Sequence, residues 1–190
     1  GNDKLLSAMA DAGCFHVQIG FQTVNPKSLH SAGIAQNRIE EYSRVVKAFH
    51  RYNILVLGFF MFGFDNDDPS IFSETEKVIR QINLDDVCLY ILTPYPGTEF
   101  YEQLKREKRL LSTARLDYGW SNAVFRPANM SAEELEAGVQ GMYERLHGYF
   151  KRTVWIKLLR RLPLFVRYPY LLTLIVKALF RRVDISRKPV

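Results

Sequence analysis

Two cysteines in 190 residues, Cys14 and Cys88, are too few for a disulfide framework, and a reducing compartment is the simplest setting for such a chain. The four histidines, His16, His30, His50 and His147, form no pair at i, i+4 and no cluster with the cysteines, which excludes a zinc-binding spacing. No glycine-rich phosphate loop and no nucleophile elbow occur. Asp65-Asn66-Asp67-Asp68 does not continue into the twelve-residue pattern of a calcium loop. No run of about 18 apolar residues is present, which argues against a transmembrane helix. Gly1-Asn2-Asp3-Lys4 opens no basic-then-apolar stretch, so no signal peptide is expected to start here. Acidic residues are nearly missing from the C-terminal end. Residues 151–190 hold 11 Lys and Arg against the single Asp184, while residues 1–150 carry a net charge of −4. The formal +6 of the whole chain therefore conceals two regions with different partners.

What is present is ordinary globular material: 47% hydrophobic, 24% charged and 13% aromatic residues. Residues 15–21 form a short apolar run and read as a strand. Asn25-Pro26 has the form of a helix cap followed by its first residue. Ile39, Tyr42, Val45, Val46, Phe49 and Tyr52 recur at helical spacing. Residues 54–62 are apolar almost throughout, which predicts a strand buried on both faces, as in a parallel sheet covered by helices. The cycle repeats with a helix from Asp68-Pro69, a strand over 87–92 and a helix near 98–110. Strands about 35 residues apart fit βαβ units. The body is thus α/β, part of a barrel or of an open parallel sheet. Three strands are too few to close a (β/α)₈ barrel, and the chain is expected to begin inside a larger fold. Beyond Leu111 the pattern turns loop-like. Ser131 and Glu134 then make a capping box for a helix that buries Leu135, Val139, Met142, Tyr143, Leu146 and Phe150.

Candidate functional positions lie where strands end, because function in α/β barrels collects at the C-terminal strand ends. These ends are Gly20-Phe21-Gln22-Thr23, Gly63-Phe64-Asp65-Asn66 and Thr93-Pro94-Tyr95-Pro96-Gly97-Thr98. Gln22 and Thr23 offer donors and acceptors suited to hydroxyls or an amino-acid moiety. Gly63 permits close approach of a planar group beside Met61 and Phe62. Cys14 and Cys88 read as buried structural thiols. Taken without relatives, the strand ends serve equally well as turns and caps.

Four stretches, in order, resemble the radical S-adenosylmethionine (SAM) superfamily, and most nearly its members with an N-terminal cobalamin-binding domain. Residues 13–25, from Gly13-Cys14 through Ile19-Gly20-Phe21-Gln22-Thr23 to Asn25, are similar to the segment A-G-C-x-x-V-x-I-G-F-E-S-x-N. Residues 58–70, 91–98 and 124–131 resemble the next two strand ends and the segment after the barrel. The resemblance implies a partial (β/α) TIM-like barrel, with residues 1–111 forming the C-terminal half of a (β/α)₆ barrel. Residues 112–150 would be a post-barrel loop and helix, and 151–190 a basic amphipathic helical tail. It implies a [4Fe–4S] cluster that reductively cleaves SAM to start radical chemistry, with cobalamin as a further cofactor of the parent. The C-x-x-x-C-x-x-C that holds the cluster is absent, so no Fe–S site can be built from these two cysteines, and the chain alone is expected to be inactive. Its first partner would be the N-terminal half of the same enzyme.

By position, Gln22 and Thr23 would contact the ribose or methionyl part of SAM. Met61, Phe62 and Gly63 would wall the adenine, and Leu92 and Thr93 would present backbone groups to its edge. No catalytic residue is assigned and no metal ligand is expected. Gln22 stands where the family usually has Glu, although related families carry Gln. Ile34 stands where a basic residue often pairs with the SAM carboxylate, a loss on the order of 1.5–3 kcal/mol. The alternative is a non-catalytic or degenerate barrel module. The substrate is an unidentified small or lipid-like molecule. Residues 151–182 alternate Leu, Ile, Trp and Phe with Lys and Arg, the composition of an interfacial helix on anionic lipid. A cytoplasmic protein, peripheral at the inner face of the membrane, is the corresponding expectation. Packing of the tail on the body is the competing reading, and nucleic acid is not expected as a partner.

Overall fold

A computed structural model describes residues 3–34, 36–113 and 119–159, with side chains as far as residue 150. Its elements are α1 (Asp3–Asp11), β1 (His16–Gln22), α2 (Pro26–Ser31), α3 (Ile39–Arg51), β2 (Leu55–Phe62), α4 (Ser70–Ile82), β3 (Asp86–Ile91), α5 (Glu99–Arg106) and α6 (Ala132–Leu159). The strands make one sheet in the order β1-β2-β3, parallel throughout, with Val17 opposite Val56 and Gly58 opposite Val87. The α/β architecture and its three parallel strands are those anticipated. The chain divides into two compact units, Gly1–His147 and Gly148–Val190. In the second, side chains are described only to Phe150 and helical backbone only to Leu159, so most of the 151–182 segment lies outside the described residues.

The strands alternate, and the alternation separates two unlike faces. Phe21, Val56, Phe60, Phe62, Val87, Leu89 and Ile91 are buried. Phe21 meets the Tyr42 ring of α3 at 4.6 Å, and Phe62 meets the Phe72 ring of α4 at 5.5 Å, so this face carries the helical layer. On the other face Leu57, Phe59, Met61, Cys88 and Tyr90 stay half-buried. Burial of β2 on both faces is therefore not what the described residues show. Its apolar residues on the second face are only half-buried by the described residues.

Local chemistry sets the element ends. Asn25 Oδ1 accepts from the Lys27 and Ser28 N–H groups and starts α2. Asp68 Oδ1 takes the Ser70 N–H at 2.8 Å where α4 begins. Ser131 and Glu134 form the reciprocal capping box, at 2.7 and 3.0 Å. At the opposite end of the sheet, Asp85 Oδ2 accepts from the Val56 N–H at 2.8 Å and lies 2.7 Å from His50 Nε2. This joins the starts of β2 and β3 to the end of α3.

Helix α6 buries Leu135, Val139, Met142 and Leu146, each worth about 1.5–3 kcal/mol. Tyr143, expected among them, is only half-buried. The helix lies against α4, where Arg145 Nε donates to Glu76 Oε2 at 2.7 Å. No helix among the described residues is long and apolar enough to cross a membrane. Gly138 fixes the approach of α6 to α4, since a Cβ there would fall 2.2 Å from the Phe72 ring. That ring is already buried against Phe62 and has no cheap retreat. Gly138→Ala should destabilise the fold by about 1–3 kcal/mol. An unchanged thermal midpoint would show that the helices separate freely.

Candidate functional site

The C-terminal ends of the three strands stand side by side, and one turn stitches them together. The turn after β2, Asp65-Asn66-Asp67, reaches three neighbours. Asp65 accepts from Arg109 Nη2 at 2.7 Å and from Gln103 Nε2 of α5 at 3.1 Å. The carbonyl of Asp65 accepts from Asn129 Nδ2 at 2.8 Å, which ties in the segment before α6. Asn66 accepts on its carbonyl from Asn25 Nδ2 at 2.8 Å and donates to Ser31 Oγ at 3.1 Å, reaching both ends of α2. Asp67 has no exposed surface. Its carboxylate accepts from the Gly63 N–H at 3.2 Å, the Phe64 N–H at 3.1 Å and Ser28 Oγ at 2.9 Å. Burial pushes the Asp67 carboxyl up, and the hydrogen bonds from Ser28, Phe64 and Gly63 oppose it. Gly63 has φ +97°, a conformation that suits glycine, and a Cβ there would meet Leu135 and Phe125 at 3.0 Å.

The first strand end is unusual. Gln22 has φ 70°, and the Thr23 N–H bonds back to the Phe21 carbonyl at 3.0 Å, spanning Gln22 in a three-residue turn. For a non-glycine residue this conformation costs on the order of 1–3 kcal/mol. The register with β2 slips here: Gly20 faces Phe59 and Gln22 faces Phe60, leaving Phe21 bulged. No described residue hydrogen-bonds the Gln22 side chain.

The sequence-predicted positions separate by environment. Gln22 and Met61 are half-buried. Thr23 is only 1% exposed, and its hydroxyl accepts from the Asn25 N–H at 3.1 Å, so it caps the entry to α2. The Phe62 ring is turned into the helical layer, opposite Met61, and this residue offers the strand end its backbone. Leu92 donates its N–H to the Phe62 carbonyl at 3.0 Å, extending the ladder one residue past β3. The Thr93 hydroxyl donates to the Ile91 carbonyl. Ile34 is half-buried beyond α2, its N–H on the Leu29 carbonyl at 2.9 Å.

Three features escaped the sequence. Asp65 was placed at a strand end and Asp67 was weighed only for calcium, while their hydrogen bonding to α2, α5 and the segment before α6 was not foreseen, although Gly-x-Asp-Asn-Asp before Pro69 is also a turn pattern. Tyr42 was legible only as an apolar helix position, yet its hydroxyl donates to the Phe21 carbonyl at 2.6 Å. An aromatic row also crosses the half-open face: Phe59 stacks on Tyr90 at 5.7 Å, and Tyr90 meets Trp120 edge-on at 5.6 Å. Trp120 is 72% exposed, and its carbonyl accepts from the Ile91 N–H at 2.8 Å on the free side of β3.

Cys14 and Cys88 are free and half-buried rather than buried, and they stand on different sides of β2. Burial pushes the Cys88 thiol up and the Tyr90 hydroxyl up to about 12, so both stay protonated near neutral pH. Among the described residues no group of three His, Cys, Asp or Glu side chains is placed to hold a metal ion.

No protein-family model matches the chain. It is 33% identical over 124 residues to the bacteriochlorophyllide d C-12(1)-methyltransferase of Chlorobaculum tepidum, covering 65% of this chain and 27% of that one. It is 24% identical over 144 residues to the anaerobic magnesium-protoporphyrin IX monomethyl ester cyclase of Rubrivivax gelatinosus, covering 76% and 25%. Among solved structures, the fold matches coproporphyrinogen III oxidase of Escherichia coli, a radical SAM enzyme, with a TM-score of 0.56 and 12% identity over 80% of this chain and 30% of that one. It also matches a radical SAM methyltransferase of Kitasatospora setae, solved with cobalamin and a [4Fe–4S] cluster bound, with a TM-score of 0.51 and 19% identity over 72% and 27%. The chain thus spans between a quarter and a third of the length of these proteins.

Replacing Asp67 by Ala strands the Gly63 and Phe64 amides and the Ser28 hydroxyl, and should destabilise the protein by about 2–4 kcal/mol in urea unfolding. Asp67→Asn keeps one acceptor and should lose less. Equal losses in the two variants would mean that packing, not hydrogen bonding, holds the turn.

Proposed function

We propose that this chain, a member of the radical SAM superfamily by its fold and its relatives, forms the part of a barrel that receives S-adenosylmethionine across its strand ends. The observation that carries this reading is the Gln22 side chain: an amide with no described partner, at the end of β1 and folded back over Gly20, which pairs with Phe59 of β2. An amide able to both donate and accept suits the hydroxyls of a ribose or a methionyl carboxylate. The Met61 thioether suits a flat apolar base, and the Leu92–Thr93 backbone suits the polar edge of that base, while Gly63 is packed under Leu135 and Phe125 and would serve only through its backbone.

The residues present do not fit an iron–sulfur cluster. The chain has two cysteines, separated by β2, and no described trio of metal-binding side chains. The reductive step is therefore assigned to no residue of this chain, and the cluster ligands belong in our proposal to other residues of the complete protein. Cobalamin is proposed for that complete protein on the same footing. A degenerate barrel that binds no SAM is the competing reading, and Ile34 is the residue that speaks for it.

The substrate we propose is a planar macrocycle. Two of the relatives are named for bacteriochlorophyllide and magnesium-protoporphyrin, and the Phe59–Tyr90–Trp120 row, with its exposed indole, offers aromatic contacts on the half-open face. For residues 151–182 we retain a peripheral contact with anionic lipid on the cytoplasmic side, supported by their charge and apolar content.

In the complete polypeptide, Gln22→Ala should weaken SAM binding about tenfold in equilibrium dialysis, and Cys88→Ala should leave it near the parent value. Equal effects would return Gln22 to the role of a turn residue. Binding to anionic liposomes should fall at high salt and disappear on truncation after Phe150. Retention by the truncated chain would remove the tail as the anchor.

A further inference from the structure

Gln22 combines a conformation that favours glycine, a bulge and an amide unpaired among the described residues, and the surroundings explain how all three coexist. An ideal Cβ on Gly20 would lie 2.2 Å from Gln22 Nε2 and 3.4 Å from its Cδ. The Gln22 side chain therefore folds back over Gly20 and occupies the space that any other residue's side chain would take. Phe21, next in the strand, is buried against Tyr42 and Phe60, so Gly20 faces the opposite, half-open side. The amide is thus laid on the half-open face, on the side of Phe59, which pairs with Gly20.

The backbone beneath it is held by two side chains. Asn37 Nδ2 donates to the Gly20 carbonyl at 2.9 Å and to the Phe21 carbonyl at 3.1 Å. The Tyr42 hydroxyl donates to the same Phe21 carbonyl at 2.6 Å and lies 3.1 Å from the Thr23 carbonyl. With the Thr23 N–H, the Phe21 carbonyl collects three donors. A bulge takes carbonyls out of the sheet ladder, and these donors restore partners to the ones it frees. Asn37 lies just before α3 and Tyr42 within it, the Tyr42 ring buried against Phe21 on the helical side of the sheet.

We infer that Gly20, Asn37 and Tyr42 are positioning residues for Gln22: the glycine leaves the recess into which its amide folds, and the two donors hold the bulged turn that aims it. This rests on the reading of Gln22 as a SAM contact, and goes beyond it by naming the residues that set the geometry of that contact. Substitutions at Gly20 should act through Gln22 and should have no further effect once Gln22 is gone.

The side-chain amide of Gln22, followed by ¹H–¹⁵N NMR in the 190-residue protein, reads the placement without any ligand. Its pair of signals should stand apart from those of exposed glutamines. It should move towards them in Gly20→Ala, and also in Tyr42→Phe, which keeps the ring against Phe21 and removes only the donor. An unmoved pair in both variants overturns the proposal. Equilibrium dialysis with S-adenosylmethionine on the complete polypeptide then supplies a double-mutant cycle. Gly20→Ala and Gln22→Ala should each weaken binding about tenfold, and the double variant no more than either alone. Additive losses would make Gly20 an independent determinant and overturn the positioning role. If the signals move but Gln22→Ala binds SAM like the parent, positioning stands and the SAM reading of Gln22 falls.

Discussion

A carboxylate shut away from water holds the working end of this sheet together. Asp67 gathers the first two amides after β2 and the Ser28 hydroxyl of α2, so the end of one strand and the helix that follows its neighbour share a single acceptor. Burying such a group is unfavourable unless donors surround it. Once they do, the turn has few other conformations to adopt. Asp65 and Asn66 extend the same turn outward to α5, to Arg109 and to α2. The strand ends are thus positioned by a polar lattice rather than by apolar packing, which is non-directional and would tolerate sliding.

That division of labour runs through the whole unit. Behind the sheet, Phe21, Phe60, Phe62 and Phe72 pack with the aliphatic strand residues into an ordinary core. In front of it, residues of the same strands stay half-buried, and there the Gln22 amide, without a partner among the described residues, and the aromatic row are found. Parallel order makes this possible, because every strand sends its C-terminal end, and its loop, to the same edge.

The fold was legible because periodicity reports burial. The helical spacing of Ile39 to Tyr52 and the apolar run of 54–62 predicted α3 and β2 to within a residue or two. The capping signals at Asn25, Asp68 and Ser131 marked helix starts because caps are local interactions between near neighbours in sequence. The site was legible only in part. Gln22, Met61 and Leu92 could be placed at strand ends, but Thr23 and Phe62 differ from their neighbours in which side of the chain they face, and a bulge at Phe21 changes that facing without any mark in the composition. Asn37 and Tyr42 were invisible for a different reason. Their partners are backbone carbonyls 16 to 21 residues away, and a carbonyl has no letter in the sequence.

The strand order also bears on how the molecule is made and handled. Strand β1 pairs with β2 on one side, and no described strand covers its other side. It is seven residues long and carries no proline or lysine within it, the residues that commonly blunt such a margin. A margin of this kind is a template for any extended segment that meets it. During synthesis and refolding, when concentrations of unfinished chains are high, it favours self-association into β-structure over dispersal. Yield and solubility would then depend on how soon another strand docks beside His16–Gln22, and a companion segment supplied alongside would act as a folding aid before it acted as anything else.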